Sequence, residues 1–216
     1  MYGARPLEDN MAIQIKTLPC GEIQENAYLV CAEGRDDCVM IDPGDEFPML
    51  HRALGEKKLA AILLTHGHFD HIMAVQPLAE ATGAPVYVGA EDLLMLNDPG
   101  TNGLASLMGV HRMPGSEIVA RPFGEALSAA GLDFQILPTP GHTRGSACLY
   151  LPAEGALFSG DTLFCAGFGR MDLPGGSPQD MRRSLRRLFT LPPQVRVYPG
   201  HGMETTIGDE MRRYRL

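Results

Sequence analysis

The chain has 216 residues, 44% of them hydrophobic and 20% charged, an ordinary globular composition with length enough for a substantial core. With 18 basic residues against 26 acidic ones the net charge is −8, which repels nucleic acid and anionic membrane surfaces and excludes both as default partners. No apolar run approaches the roughly 20 residues that span a bilayer. The polar start "MYGARPLEDN" lacks the apolar core of a signal peptide, so a cytoplasmic protein is expected.

Residues 1–10 read as a flexible extension, and Met11 opens a strand-like alternation, "MAIQIKTL". "NAYLVCA" and "DCVMIDPG" follow as a hairpin around the polar tip "AEGRDD". Cys31 and Cys38 flank that tip and are expected as two buried thiols; five scattered cysteines without a CxxC fit a reducing compartment. "LAAILLTH" is too apolar to be half exposed and reads as a strand buried on both faces. Pro77 and Gly83 bracket a short helix, "PLAEAT", and "APVYVG" is the next strand. "LLMLND" reads as helical, and the stretch from Leu93 to Pro122 as either a lid or a packed surface connection. Further strands lie near "DFQILPT", "SACLYLP", "GALFSG" and "VRVYPG". Between Ser177 and Phe189 a helix begins with an N-cap serine and a first-turn proline, and Met181, Leu185 and Leu188 form its apolar stripe. The run "RRSLRR" lies off that stripe and reads as a solvated face. Many strands with fewer helices suggest two sheets with helices outside, an α/β layered sandwich.

The stretch "LLTHGHFDH" packs His66, His68, Asp70 and His71 behind a buried strand, where unpaired polar groups are costly. Three more places show a strand, a glycine and then a potential ligand: "ILPTPGHTRG" with His142, "LFSGDTLF" with Asp161, and "VYPGHG" with His201. Functional side chains collect at the C-terminal ends of strands in α/β sheets. The set uses five of the chain's seven histidines. Seven nitrogen and oxygen donors exceed the needs of one four- or five-coordinate ion and suit two ions sharing a carboxylate. Zinc, iron and manganese all accept such donors. Alternate residues of an extended segment point the same way, so His66 and His68 can grip one ion; Asp70 and His71 face a second, with Asp161 the natural bridge.

This pattern resembles the metallo-β-lactamase superfamily from about Met11 to Asp209. The resemblance implies an αββα four-layer sandwich with a two-metal site at one edge between the sheets. By the family's motifs, His66, His68 and His142 would hold the first ion, Asp70, His71 and His201 the second, and Asp161 would bridge. "SGDTLFCAGFGRMD", "THGHFDH", "TPGHTRGS" and "PGHG" resemble the compact glyoxalase II-like branch. On that basis residues 11–216 form a single domain that lacks the C-terminal helical domain of full-length glyoxalase II, and Met171 and Asp172 stand where those enzymes usually carry aromatic residues.

The implied activity is binuclear-metal hydrolysis of a small-molecule thioester such as S-lactoylglutathione, by attack of a metal-bound hydroxide, with two divalent ions, zinc first and iron or manganese after it. Asp70 and Asp161 are the candidate catalytic carboxylates. The alternative is a persulfide dioxygenase with one iron on His66, His142 and Asp161; those enzymes share the GR-x-D signature, here Gly169, Arg170 and Asp172, but usually carry alanine where this chain has Gly200. Arg170, nine residues after Asp161, is the candidate substrate-binding residue, either meeting a substrate carboxylate or supporting the site loop. Asp42, in "IDPG", is a candidate partner for a ligand histidine. His51 and His111 read as surface or capping residues and Cys165 as a buried thiol. A homo-oligomer would cover the flank that the missing helical domain leaves.

Overall fold

Residues of a strand alternate between the two faces of its sheet, so a strand buried on both faces feeds two cores. In the computed structural model, which describes residues 12–98, 100, 102 and 117–214, this alternation builds the architecture. The extension 1–10, Met11, His111 and most of the segment 93–122 lie outside the described residues.

One sheet runs in the order β1 (Ile13–Cys20), β2 (Glu25–Ala32), β3 (Asp37–Ile41), β4 (Lys58–Leu63), β5 (Val86–Val88) and β6 (Ala120–Pro122). Its first three strands are antiparallel, and β3 through β6 are parallel. The other comprises β7 (Ala126–Ala129), β8 (Leu132–Pro138), β9 (Ala147–Leu151), β10 (Ala156–Gly160), β11 (Arg196–Pro199) and β12 (Thr205–Thr206), with β10 and β11 parallel. In β3, Cys38 and Met40 face one core while Val39 and Ile41 face the next. In β9, Cys148 and Tyr150 face outward, and Ala147, Leu149 and Leu151 face the opposite sheet.

Three apolar layers result. Helices α1 (Phe47–Leu54) and α2 (Val75–Thr82) pack on the first sheet through Leu50, Leu54, Val75 and Leu78. Between the sheets lie Val39, Ile41, Leu63, Phe134 and Leu149, with Phe158 edge-on to Tyr28 and stacked on Tyr198. Helix α3 (Pro178–Leu188) covers the second sheet with Met181, Leu185 and Leu188, and Ile207 of α4 (Ile207–Arg213) joins that layer. The αββα sandwich expected from the sequence is therefore present. Each large aliphatic or aromatic side chain in these layers contributes roughly 1.5–3 kcal/mol.

The hairpin register Val30↔Val39 sets Cys31 against Cys38, and both are free and buried, as expected. Ser177 caps α3, accepting from the Asp180 amide, and Pro178 opens it. Elsewhere the structure departs from expectation. The segment expected as a helix at "LLMLND" is a 3-10 turn, Ala90–Leu96, because the buried carboxylate of Asp92 ties it to two neighbouring loops. Strand β6 lies within the stretch read as a lid or connection, and α1, β7, β12 and α4 went unforeseen. Among the described residues no helix is long and apolar enough to cross a membrane.

Candidate metal centre

Four strand ends build the site. The loop after β4 carries His66 and His68 and closes in a 3-10 turn, Phe69–His71, that buries Asp70 and His71. His142 follows β8, Asp161 follows β10 and His201 follows β11. The two sheets are stitched together there. Thr65 O accepts from Ala147 N at 2.8 Å, Asn26 donates to Pro199 O and Gly202 O, and Tyr28 OH donates to Pro199 O at 2.6 Å. These bonds fix the His201 loop against β2. Gly141, at φ 143°, lets the His142 loop lie on the first turn of α3, where a Cβ would come within 2.5 Å of the Met181 backbone.

All seven expected residues converge. His66, His68 and His142 present ring nitrogens within 4.8 Å of one another, and so do the ligand atoms of Asp70, His71 and His201. His66, His71 and Asp161 form a third such group, which puts Asp161 between the two triads. Its Oδ2 lies 3.4 Å from His142 Nε2, and its Oδ1 lies 3.5 Å from His71 Nε2 and 3.8 Å from His201 Nε2.

Hydrogen bonds behind the rings choose their tautomers. Thr65 Oγ1 donates to Asp42 Oδ2 at 2.7 Å, so it accepts from His66 Nδ1 at 3.1 Å. Asp42 Oδ2 also accepts from His71 Nδ1 at 3.1 Å, and Arg170 O accepts from His142 Nδ1 at 2.8 Å. In His66 and His142, Nε2 is thereby left as a lone pair facing the cluster, and His71 turns its Nε2 the same way, where an ion would displace the proton. His68 Nδ1 then faces the His142 Nε2 lone pair at 2.8 Å, an approach that requires a shared cation or proton.

The fit to metal is read from the orphaned atoms. Among the described residues, the buried side-chain atoms without a hydrogen-bond partner are His66 Nε2, His68 Nε2, Asp70 Oδ1, His71 Nε2, Asp161 Oδ1 and both oxygens of Glu25. Buried polar atoms rarely lack a partner, and the histidine and aspartate atoms among these belong to the two triads and the carboxylate between them, while Glu25 lies behind His71.

Charge balance agrees. Burial drives the His66 pKa well below its ordinary value, with His71 and His142 adding to it, and burial with His142 lowers His68 to about 3. Both rings are therefore neutral and able to bind metal. Burial opposes a proton on His71, but Asp70 and Asp42 overcome it and hold its pKa well above the ordinary value. For Asp161, burial is outweighed by His71 and His142, and its pKa falls; Asp70 is lowered against burial by His71 and His201. Two ionised, buried carboxylates call for positive charge between them.

Two buried acids escaped the sequence reading. Glu25 lies fully buried at the start of β2, its Oε1 3.5 Å from His71 Nδ1, and burial pushes its pKa well up. Asp92 accepts from Gly67 N at 3.0 Å, Thr143 Oγ1 at 2.6 Å and Gly145 N at 2.7 Å, clamping the His66–His68 loop to the His142 loop. An acid in a 3-10 turn between two glycine-bearing loops carries no spacing that would have marked it. Asp42 stands behind His71 as expected. Arg170 meets the site through its carbonyl, while its exposed guanidinium pairs with Asp172 at 2.8 and 2.7 Å. His51 is exposed, and Cys165 is half-buried instead of buried.

Residues 20–201 match the family described as the metallo-β-lactamase superfamily. The chain is 36% identical over 201 residues to a probable metallo-hydrolase, YqgX, of Bacillus subtilis, a match covering 89% of this chain and 92% of that protein. It is 37% identical over 195 residues to the hydroxyacylglutathione hydrolase of Pseudomonas entomophila, covering 88% of this chain and 66% of that one. Among solved structures, the BLEG-1 B3 metallo-β-lactamase gives a TM-score of 0.85 at 36% identity, over 92% of this chain and 97% of that one. TTHA1623 in a di-iron-bound form gives 0.82 at 42% identity, over 93% and 98%. ETHE1 from Myxococcus xanthus gives 0.72 at 31% identity, over 92% and 82%. Neighbours so differently described share a fold, so the choice of reaction rests on the residues.

Proposed function

The chain belongs to the metallo-β-lactamase superfamily, and from that premise we propose that it is a binuclear metal-dependent hydrolase of thioesters, S-lactoylglutathione among them. The observation that carries the two-ion reading is the room at Gly200. A Cβ there would lie 2.4 Å from Asp161 Oδ1 and 2.8 Å from His71 Cε1, so glycine is what leaves the bridge and the second triad undisturbed.

In this reading His66, His68 and His142 hold the first ion, Asp70, His71 and His201 the second, with Asp161 between them and zinc as the first choice of metal. Two such ions, when bound, bring water activation near neutral pH and polarisation of the scissile carbonyl. The protein's part is to orient and to hold charge. Asp42, Thr65 and the Arg170 carbonyl keep protons on the outer ring nitrogens, so the inner ones stay available. Arg170 is positioned to meet an anionic substrate group once its pairing with Asp172 opens.

The role of Asp70 favours one bond. As a ligand of the second ion, Asp70 would be held ionised, the direction in which His71 and His201 already shift it, and would have no proton to give to a departing amine. A thiolate, with a free-thiol pKa near 8.5, leaves without one. Hydrolysis adds one water across the carbon–sulfur bond and yields a carboxylic acid and a thiol. Turnover of glutathione and coenzyme A thioesters, with metal analysis of the same sample, tests this: two ions per chain with thioester hydrolysis is the expected result, and intact thioesters with two ions bound would overturn it.

The Arg170–Asp172 pair favours the dioxygenase reading, since it is the GR-x-D signature in folded form. Oxygen uptake with glutathione persulfide, absent here by expectation, separates the two.

A further inference from the structure

The carbonyl of a substrate has two substituents, and the surroundings of the centre differ sharply on its two sides. Beside Asp70 lies a cavity of about 250 Å³, walled by Cys20, Ile23, Phe69 and Met73, with Glu22 and Asp45 exposed at its rim. The turn between β1 and β2 forms one lip and the loop after β3 the other. No lysine, arginine or histidine lines it among the described residues. The Cys20 thiol donates to Leu18 O at 3.1 Å, and burial pushes its pKa to about 12; this wall is neutral, and the charged groups at the rim, Glu22 and Asp45, are acidic. On the His142 side two exposed arginines stand nearby: Arg144 follows His142 by two residues, and Arg170, paired with Asp172, sits on the loop whose carbonyl holds the His142 ring.

We propose that the cavity beside Asp70 is the acyl pocket, that it takes an uncharged apolar acyl group, and that it rejects an acyl group ending in a carboxylate. The anionic thiol carrier lies on the other side, toward Arg144 and Arg170. At about 30 Å³ per water-sized group the cavity holds roughly eight non-hydrogen atoms, the size of a six-carbon acyl chain. A carboxylate at the end of such a chain would be brought from water to a partly apolar site facing two like charges, which costs binding and transition state alike. The assignment rests on the thioesterase reading above.

The test compares hexanoyl-glutathione with adipoyl-glutathione, a pair of equal reach that differs in the terminal charge, on the metal-loaded protein. The kcat/KM for hexanoyl is expected to exceed that for adipoyl by at least about tenfold. The double variant Glu22→Gln/Asp45→Asn narrows that ratio, and Met73→Trp, which fills the cavity, lowers hexanoyl turnover relative to acetyl. Equal turnover of the two esters, or ratios unmoved by these variants, would overturn the pocket while leaving thioester hydrolysis intact. Failure to cleave any thioester would instead remove the reading on which it stands.

Discussion

Asp42 Oδ2 lies 3.1 Å from His71 Nδ1 and 2.7 Å from Thr65 Oγ1, so one buried carboxylate orients a histidine of each triad, His71 directly and His66 through the threonine. Asp42 holds a left-handed backbone, φ 46°, a conformation that aspartate tolerates better than most residues and that places its carboxylate under the loop after β4. Asp42→Asn keeps the shape but replaces one acceptor with a donor. Metal affinity is expected to fall about 10–100-fold, as for other supporting residues behind a ligand histidine. Competition titration with a chelating indicator reads it, and unchanged affinity for both ions would remove Asp42 from this role.

Asp161 reaches both triads, at 3.4 Å from His142 Nε2 and 3.5 Å from His71 Nε2. Asp161→Ala is expected to cost at least one ion per chain. Turnover should fall by more than the roughly 100-fold typical of a supporting residue. Metal analysis beside a thioester assay checks both, and retention of two ions with activity would refute the bridging assignment.

The centre was legible in the sequence because its donors sit next to glycines at strand ends, a pattern that core packing does not reward. The strands were legible because two-sided burial makes "LAAILLTH" and "SACLYLP" almost wholly apolar. What escaped was set by contacts distant in sequence. The Ala90–Leu96 turn has helical composition, and Asp92 overrides it by bonding to Gly67 and Gly145. Strand β6 is three residues long, Ala-Arg-Pro, and pairs only because β5 lies beside it. Glu25 stands just before the apolar run "NAYLVCA" with nothing in the sequence to mark it as buried, and β2 carries it beneath His71. Helix α1 did carry a signal, Pro48 in its first turn with Leu50 and Leu54 four apart.

Asp92 gives a second kind of test. Asp92→Ala would leave the Gly67 and Gly145 amides and the Thr143 hydroxyl buried without their acceptor, at about 1–3 kcal/mol each. The first triad spans the two loops that this carboxylate joins, so the first ion should be lost before the second. Asp92→Asn, which retains one acceptor oxygen, is expected to restore part of the affinity. A stepwise metal titration distinguishes the sites; equal weakening of both ions would mark Asp92 as a general stabiliser only.

The depressed pKa of His68 fixes the sign of one pH effect. Its folded value, about 3, lies below the ordinary 6.5, so between those limits the unfolded chain binds the proton that the folded chain refuses. Stability of the metal-free protein from this residue is intact above pH 6.5 and is lost as the pH falls toward 3, by at most about 1.4 kcal/mol per pH unit. His71 and His201 are shifted upward and act in the opposite sense. The His68 contribution is therefore read as the difference between the parent and His68→Gln in urea midpoints across this range. The variant should lose less stability on acidification, and parallel curves would contradict the burial of a neutral imidazole.

Gly200 offers the sharpest separation of one ion from two. Its backbone has no special conformation that excludes alanine, so the only objection to a methyl group is space. That methyl would sit 2.4 Å from Asp161 Oδ1, 2.8 Å from His71 Cε1 and 3.2 Å from Gly160 C. The Gly160 carbonyl accepts from Gly200 N at 2.9 Å, so the backbone is tied and cannot retreat far. The side chains must move instead, and both belong to the second triad or the bridge. His66, His68 and His142 have no contact with that methyl among its nearest neighbours. Gly200→Ala is therefore expected to keep a first ion and lose the second, with metal content falling toward one per chain and thioester turnover falling with it. Overpacking typically costs about 1–3 kcal/mol, so the variant should still fold. Two ions retained at parental affinity would show that the second position does not depend on the room at Gly200.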